Sequence, residues 1–260
     1  MSAVVLAIPC GIAIGLVVGA IGGGGAILAL PVLVYVLGEA VGPASTASLI
    51  VVAIAAGVGA GALALRGHVC WRIALTFTAP AAAGSLAGTL ANAAVSARAL
   101  ILAFVPVMLV AAGATWQRAA QASSDDAGRC PDVQARRIIA AGIGVGLLTG
   151  FFGVGGGFVI VPVLTLWLGL SFRRAVATSL VIITLTGVAA LASHLAIGAA
   201  IDVPLTLALA ISTGIGALAG TLFAQRVPQA VLGRAFALVV GVLALFLLVD
   251  TLLLGGPPSG

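Results

Sequence analysis

The chain has 260 residues, of which 62% are hydrophobic and 7% are charged, and its mean hydropathy is +1.34. Soluble domains contain about 25% charged residues, so this composition excludes a protein whose whole surface faces water. The net charge of +5 comes from arginines scattered singly between apolar runs, which argues against a nucleic-acid-binding face.

The predicted fold class is an all-α integral membrane protein. Apolar runs such as 44–65 and 175–197 are long enough to cross a bilayer. They lack the alternation of polar and apolar residues that a transmembrane β-barrel requires. The solvent for most of the chain is therefore expected to be lipid.

The predicted elements form two similar series along the chain. The first series is an apolar stretch over 3–37, broken by glycines at 22–25, and then spans over 44–65, 73–90 and 99–116. A polar linker follows, and the second series is a broken stretch over 138–170 and spans over 175–197, 203–223 and 235–254. We expect a first membrane repeat over 1–116, a linker over 117–137, a second membrane repeat over 138–254 and a short tail over 255–260.

A glycine-rich segment occurs once in each series. Residues 11–38 align without a gap with residues 142–169, at an offset of 131 residues, and 13 of the 28 pairs are identical. In both copies spaced glycines lead to a cluster of glycines and then to a proline, Pro31 or Pro162. An internal repeat of this kind predicts a protein built from two related halves.

The arginines predict how the halves are oriented, because positive residues concentrate on the cytoplasmic side of a membrane. With the linker placed in the cytoplasm, ten of the eleven arginines lie on that side. The loop with Arg66 and Arg72 is then inside, whereas the equivalent loop with Asp202 is outside. The halves are therefore predicted to be inverted-topology repeats, each a glycine-broken helical hairpin followed by three transmembrane helices. Both termini are expected outside the inner membrane of a bacterial cell.

The two glycine clusters are the predicted substrate-binding site. Glycines there expose backbone N–H groups at the start of the next helix, an arrangement that attracts anions, and such open backbone is tolerated only inside the protein. Hydroxyl side chains near the start of the following span could donate to an oxyanion. The candidate residues are Gly22, Gly23, Gly24, Gly25, Thr46, Ser48, Gly153, Gly155, Gly156, Gly157, Thr178 and Ser179.

The spaced glycines receive a different interpretation. Gly11, Gly15 and Gly19, like Gly142, Gly146 and Gly150, repeat every four residues, a spacing typical of closely packed transmembrane helices. We expect packing rather than binding at these positions. Thr89 and Thr221, each ending a Gly-x-x-x-Gly-Thr motif, are expected to cap or join helices.

The remaining chemistry is sparse. The three cysteines, Cys10, Cys70 and Cys130, share no spacing motif, so we expect small buried apolar residues rather than structural disulfides. No carboxylate lies deep in a predicted span, and no catalytic or metal-binding constellation is recognisable. We therefore expect no enzyme activity and no cofactor.

The doubled glycine break followed by proline, and then Ala47-Ser48-Leu49 or Thr178-Ser179-Leu180, resembles the TauE/SafE family over residues 3–254. The second copy is the closer match, and the first has Ala47 where the second has Thr178. The resemblance implies a permease for a small sulfur-containing anion such as sulfite or an organosulfonate. Two alternatives stay open: a passive anion channel, and a non-transporting membrane accessory protein of a sulfur or redox pathway. The expected partners are a small anionic substrate and the lipid bilayer, and a homo-oligomer stays open.

Overall fold

The computed structural model describes residues 2–23, 29, 32–38, 41–92, 97–121, 130–152, 157–196 and 203–249. Over these residues the regular secondary structure is helical throughout, without strands. A helix satisfies its backbone N–H and C=O groups within one segment, which is what an apolar chain in lipid requires. The predicted all-α class is confirmed for this part of the chain.

The described residues form nine α-helices and one π-helical turn at Val32–Val36. The α-helices are α1 (Ser2–Ile21), α2 (Val41–Ala64), α3 (Trp71–Asn92), α4 (Ala97–Gln121), α5 (Ala135–Phe152), α6 (Gly157–Leu166), α7 (Phe172–Ala196), α8 (Val203–Ala224) and α9 (Gln229–Val249). The helices α2, α3 and α4 begin at residues 41, 71 and 97, and α7, α8 and α9 begin 131 or 132 residues later. The order of elements therefore follows the sequence repeat.

Seven of the described helices, α2 to α5 and α7 to α9, are long and apolar enough to cross a bilayer. The described apolar parts of α1 and α6 are shorter, Leu6–Ile21 and Gly157–Leu166. Described helices overlap all six simple spans predicted from the sequence, and the largest difference is at α9, which begins at residue 229 rather than 235; the predicted ends at 197 and 254 lie outside the described residues. The protein is therefore a multi-pass membrane protein.

One face of α8 illustrates how these helices meet lipid. Its exposed large side chains recur at helical spacing, at Leu207, Ile211, Ile215, Leu218 and Leu222. An apolar stripe on the outside of a helical bundle is stable against hydrocarbon or another apolar protein surface, and the length of α8 matches a membrane span. The opposite face of α8 is buried and carries small residues.

Those small residues pack α8 against α1. A Cβ atom added at Gly15 would overlap the carbonyl oxygen of Thr213, and one added at Gly19 would overlap that of Ala217. The backbones therefore touch, and the two helices run in the same direction. Thr221 Oγ1 donates a hydrogen bond of 3.2 Å to the carbonyl oxygen of Gly19 and joins them further.

The equivalent pair, α5 and α3, packs in the same way. A Cβ atom added at Gly146 would overlap the carbonyl oxygen of Ala81, and one added at Gly150 would overlap that of Ser85. The packing interpretation of the spaced glycines is confirmed in both halves. Thr89 differs from its counterpart in α8, because its hydroxyl donates to the carbonyl oxygen of Ser85 within its own helix.

Another contact between the halves joins α2 to α7, which are equivalent helices. Gly57 faces Thr184, and Gly187 faces Ala53, at closest approaches of 3.4 and 3.1 Å for an added Cβ atom. Residue numbers rise along α2 as they fall along α7. The two helices are therefore antiparallel.

Candidate functional site

The first glycine break begins where α1 ends. Gly22 donates its backbone N–H to the carbonyl oxygen of Val18 at 2.8 Å and has a φ of +79°. This left-handed conformation is disfavoured for residues with a Cβ atom and is typical of the position that ends a helix. The glycine at this position therefore stops α1 and turns the chain.

The two glycine breaks lie in contact. A Cβ atom added at Gly23 would overlap the backbone of Gly157, and one added at Gly157 would lie 2.7 Å from both Cα and the carbonyl oxygen of Gly23. Gly157 is the first residue of α6, so the end of α1 meets the start of the helix after the second break. We call this contact, Gly22 and Gly23 against Gly157, the glycine crossing.

Ser179 on α7 lies beside the glycine crossing. Its side chain is fully buried, and its Oγ is 3.0 Å from the position that a Cβ atom on Gly22 would occupy. The hydroxyl donates to the carbonyl oxygen of Val176 at 2.8 Å, so its oxygen keeps lone pairs and its proton can be redirected. Val161, Val176 and Ile183 supply apolar surface around the crossing.

Thr178, the neighbour of Ser179, has a different environment. It is fully buried, and its Oγ1 accepts a hydrogen bond of 3.2 Å from the backbone N–H of Cys70. Thr178 thus ties α7 to the loop between α2 and α3. On α2, Thr46 is buried and Ser48 is half-buried.

Several predicted site residues cannot be placed at the crossing, because Gly24, Gly25, Gly153, Gly155 and Gly156 lie outside the described residues. Of the rest, the structure brings Gly22, Gly23, Gly157 and Ser179 together. The hydroxyl groups of Thr178 and Ser179 contact different neighbours although the two residues are adjacent in sequence.

A second polar region lies at one end of the bundle and was missed by the sequence reasoning. We call it the arginine-rich end and define it as residues 65–72, 130–134, 171–174 and 225–229. Its contacts join different elements: Arg66 Nη1 donates to Gln225 Oε1, Arg173 Nη2 to the carbonyl oxygen of Val227 at 3.1 Å, and Arg72 Nη1 pairs with Asp132 Oδ1 at 2.7 Å. The signal available in the sequence was the placement of these residues in predicted loops on one side.

His68 lies within this region. Burial lowers the pKa of its imidazole, and the guanidinium groups of Arg173, Arg174 and Arg66 lower that pKa further. Each of these terms disfavours the imidazolium, because a second positive charge would be desolvated and repelled. His68 therefore favours the neutral form.

The arginine-rich end also contains a disulfide bond between Cys70 and Cys130. The expectation of small buried apolar cysteines is wrong for this pair, although Cys70 itself is buried. A separation of 60 residues gives no local motif, so only the fold brings the two sulfur atoms together. Cys10 is a free cysteine on α1.

The family model described as "Sulfite exporter TauE/SafE" matches residues 7–247 of this chain. A protein of Xylella fastidiosa strain 9a5c named "Probable membrane transporter protein" is 28% identical over 252 residues, 95% of this chain and 96% of that protein. A protein of the same name from strain Temecula1 is 29% identical over 258 residues, with the same coverage.

A third relative, a probable membrane transporter protein of Methanocaldococcus jannaschii, is 31% identical over 118 residues, 42% of this chain and 44% of that protein. No solved structure gives a significant match. The match over nearly the whole chain confirms the family that the glycine break and the following Ser-Leu pairs had predicted. The chain belongs to the TauE/SafE family of membrane transporter proteins.

Proposed function

We propose that the protein is a secondary transporter that moves a small sulfur-containing oxyanion, such as sulfite or an organosulfonate, across the bacterial inner membrane. The family description supports the substrate class. The observation that carries the proposal is the contact of Gly23 with Gly157, because it joins the two glycine breaks at a buried serine.

The crossing has the chemistry that such a substrate needs. Glycines leave the backbone of the crossing without side chains that would obstruct a ligand, the start of α6 carries the positive end of a helix dipole, and Ser179 adds a hydroxyl donor. The neighbouring side chains Val161, Val176 and Ile183 are apolar, so these donors would act where water is scarce. An oxyanion held by neutral donors binds without a permanent ion pair and can be released on the other side.

We further propose that the halves are inverted repeats. The helices α2 and α7 begin 131 residues apart, lie at equivalent places in the repeat, and run antiparallel where they touch. Equivalent helices that run in opposite directions support a pseudo-twofold axis in the membrane plane that relates the two halves. Each break would then approach the crossing from its own side of the membrane, as alternating access requires.

The proposed orientation places the arginine-rich end and the 117–137 linker in the cytoplasm. Three loops from both halves contribute arginines to this end, including Arg66, Arg173 and Arg226. Positive residues in short loops beside membrane spans favour the cytoplasmic side. The termini would then lie outside.

Flux into proteoliposomes tests the proposal. The protein should transport sulfite, and a panel of thiosulfate, sulfonates, sulfate and carboxylates defines the selectivity. Gly157→Val should abolish flux, since its side chain cannot fit beside Gly23. Gly144→Val is the matched control, because an added Cβ at Gly144 meets nothing within 4 Å.

A second set of flux measurements distinguishes a secondary transporter from a passive channel and from a non-transporting accessory protein. Uptake that responds to an imposed counter-ion or proton gradient supports secondary transport, whereas flux that follows only the anion's own gradient supports a channel. Folded protein that moves no anion of the panel would favour the accessory-protein alternative. Normal sulfite flux in folded Gly157→Val would contradict a site at the crossing.

A further inference from the structure

The Cys70–Cys130 bond joins two segments that are distant in sequence. Cys70 immediately precedes α3, and Cys130 lies in the segment that leads into α5. Cys70 is buried, whereas Cys130 is exposed. The bond therefore has one sulfur that solvent can approach and one that lies within the bundle.

The guanidinium group of Arg174 lies beside this disulfide bond. Arg174 Nη1 lies 3.3 Å from Cys130 Sγ and 4.0 Å from Cys70 Sγ. A cavity of about 210 Å³ adjoins both cysteines, and Trp71 and the ion pair of Arg72 with Asp132 also line it. The cavity is large enough for a small oxyanion, and the positive charge of Arg174 beside the disulfide favours an anion over a neutral molecule.

We propose that the Cys70–Cys130 disulfide is a modification site that is opened by an anionic sulfur nucleophile, either sulfite or a small thiolate. The lone pair of the incoming sulfur attacks Cys130 Sγ and forms a new S–S bond. The Cys70–Cys130 bond breaks, and its electron pair leaves on Cys70 Sγ as a thiolate. With sulfite the products are an S-sulfonate on Cys130 and the Cys70 thiolate, so no further oxidant is required.

The exposure of Cys130 and the position of Cys70 at a helix start favour this direction of attack. Attack needs access, which Cys130 has. The leaving thiolate needs positive potential, and Cys70 lies at the start of the 22-residue helix α3, where its carbonyl oxygen accepts the N–H of Ala74 at 2.9 Å. A helix N-terminus stabilises a thiolate, and a stabilised thiolate leaves faster.

Opening of the disulfide bond would affect the structure of the glycine crossing through contacts on α7. The backbone N–H of Cys70 donates to Thr178 Oγ1, and the next residue, Ser179, lies against Gly22. Without the disulfide, the segment before α5 keeps the exposed ion pair of Arg72 with Asp132 and the partly buried Val133 as ties to the bundle. Exposed ion pairs hold weakly, so release of this segment would loosen the loop that Thr178 anchors.

The proposed orientation supports a reversible role. Disulfides on the cytoplasmic side are reduced unless they are transient, catalytic or redox-sensing. The choice of sulfite as a probe rests on the proposed function, but the reaction itself requires no transport. Its test in detergent therefore fails or succeeds separately from the flux assay.

The experiment uses purified full-length protein under non-reducing conditions, with free thiols blocked before treatment. Separate samples receive sulfite, reduced glutathione or sulfate, and peptide mass spectrometry follows each cysteine. We expect sulfite to add one SO3 group to Cys130 and to free Cys70, glutathione to form a mixed disulfide at Cys130, and sulfate to do nothing. The reagent that reacts faster shows whether sulfite or a small thiolate is the preferred nucleophile.

Two variants sharpen the test. Arg174→Gln should slow the sulfite reaction by about tenfold, because it removes the positive charge that lies beside both sulfur atoms and favours the approach of the anion and the departure of the thiolate. Arg137→Gln, which removes the same charge from an exposed position at the start of α5, should leave the rate unchanged. The proposal is overturned if both cysteines are free thiols before treatment, if neither reagent opens the bond, or if both variants react equally fast.

Discussion

At the scale of single residues, adjacent hydroxyls on α7 have separate roles. Ser179 lies at the glycine crossing, whereas Thr178 accepts a hydrogen bond from the loop before α3. Successive residues on a helix point about 100° apart, so neighbours in sequence reach different elements. The two side chains should therefore respond differently to substitution.

Ser179→Ala should lower anion flux with little loss of stability. The substitution removes a hydroxyl donor from the crossing. The carbonyl oxygen of Val176, which accepts from Ser179 in the unaltered protein, can still accept a backbone hydrogen bond within the helix. We expect a fall of about tenfold in flux, the scale of one hydrogen bond to a charged ligand. Thr186→Ala, which also removes a hydroxyl that donates within α7, is the control and should transport normally. Equal flux in both variants would remove Ser179 from the site.

His68 makes the fold sensitive to acid. Burial and the nearby arginines lower the pKa of His68 below 6.5, so the folded state binds a proton less readily than the unfolded state. The stability from its neutral form is present above about pH 6.5 and is lost as the pH falls through the lowered value. Thermal unfolding in detergent between pH 7.5 and pH 5 should show a smaller loss for His68→Gln than for the unaltered protein. Parallel curves would contradict this role.

At the scale of elements, glycines set the distance between helices of different halves. On α1 and α5 they recur every four residues and bring the backbone onto carbonyl groups of α8 and α3. In lipid this close approach replaces the hydrophobic effect as the source of helix association. The same two contacts, each between halves, hold the bundle together at equivalent places.

Gly150→Ala should destabilise the protein, because its Cβ atom would overlap the carbonyl oxygen of Ser85. Overpacking of this kind costs about 1–3 kcal/mol. Gly144→Ala on the same helix meets no neighbour within 4 Å and should be neutral or slightly stabilising. Thermal unfolding in detergent measures both. A lower unfolding temperature for Gly144→Ala than for Gly150→Ala would contradict packing as the reason for the glycine.

At the scale of the whole molecule, the antiparallel contact of α2 with α7 leads to a direct test of the inverted repeats. Trp71 and Val203 begin the equivalent helices α3 and α8, and both are exposed. In a cysteine-free background, Trp71→Cys should react with an impermeant maleimide from the cytoplasmic side and Val203→Cys from the opposite side. Labelling of both from one side would exclude inverted halves.

Much of the molecule's architecture could be predicted from the sequence alone. The composition, the apolar runs and the 131-residue repeat predicted the helical class and the six simple spans, because lipid leaves a chain of this length few other ways to satisfy its backbone. The four-residue spacing of Gly11, Gly15 and Gly19 predicted a packing surface for the same reason. These features depend on neighbours along one helix.

Tertiary structure alone decided which surfaces meet. The contact of Gly23 with Gly157, the separation of Thr178 from Ser179 and the bond between Cys70 and Cys130 all join residues of different elements. Their pairing depends on the crossing and register of several helices at once, and no periodicity along the chain encodes it. The sequence by itself determined that the chain is a duplicated membrane bundle with two glycine breaks. Only the packed structure determined that the breaks touch, because that contact needs both halves in place.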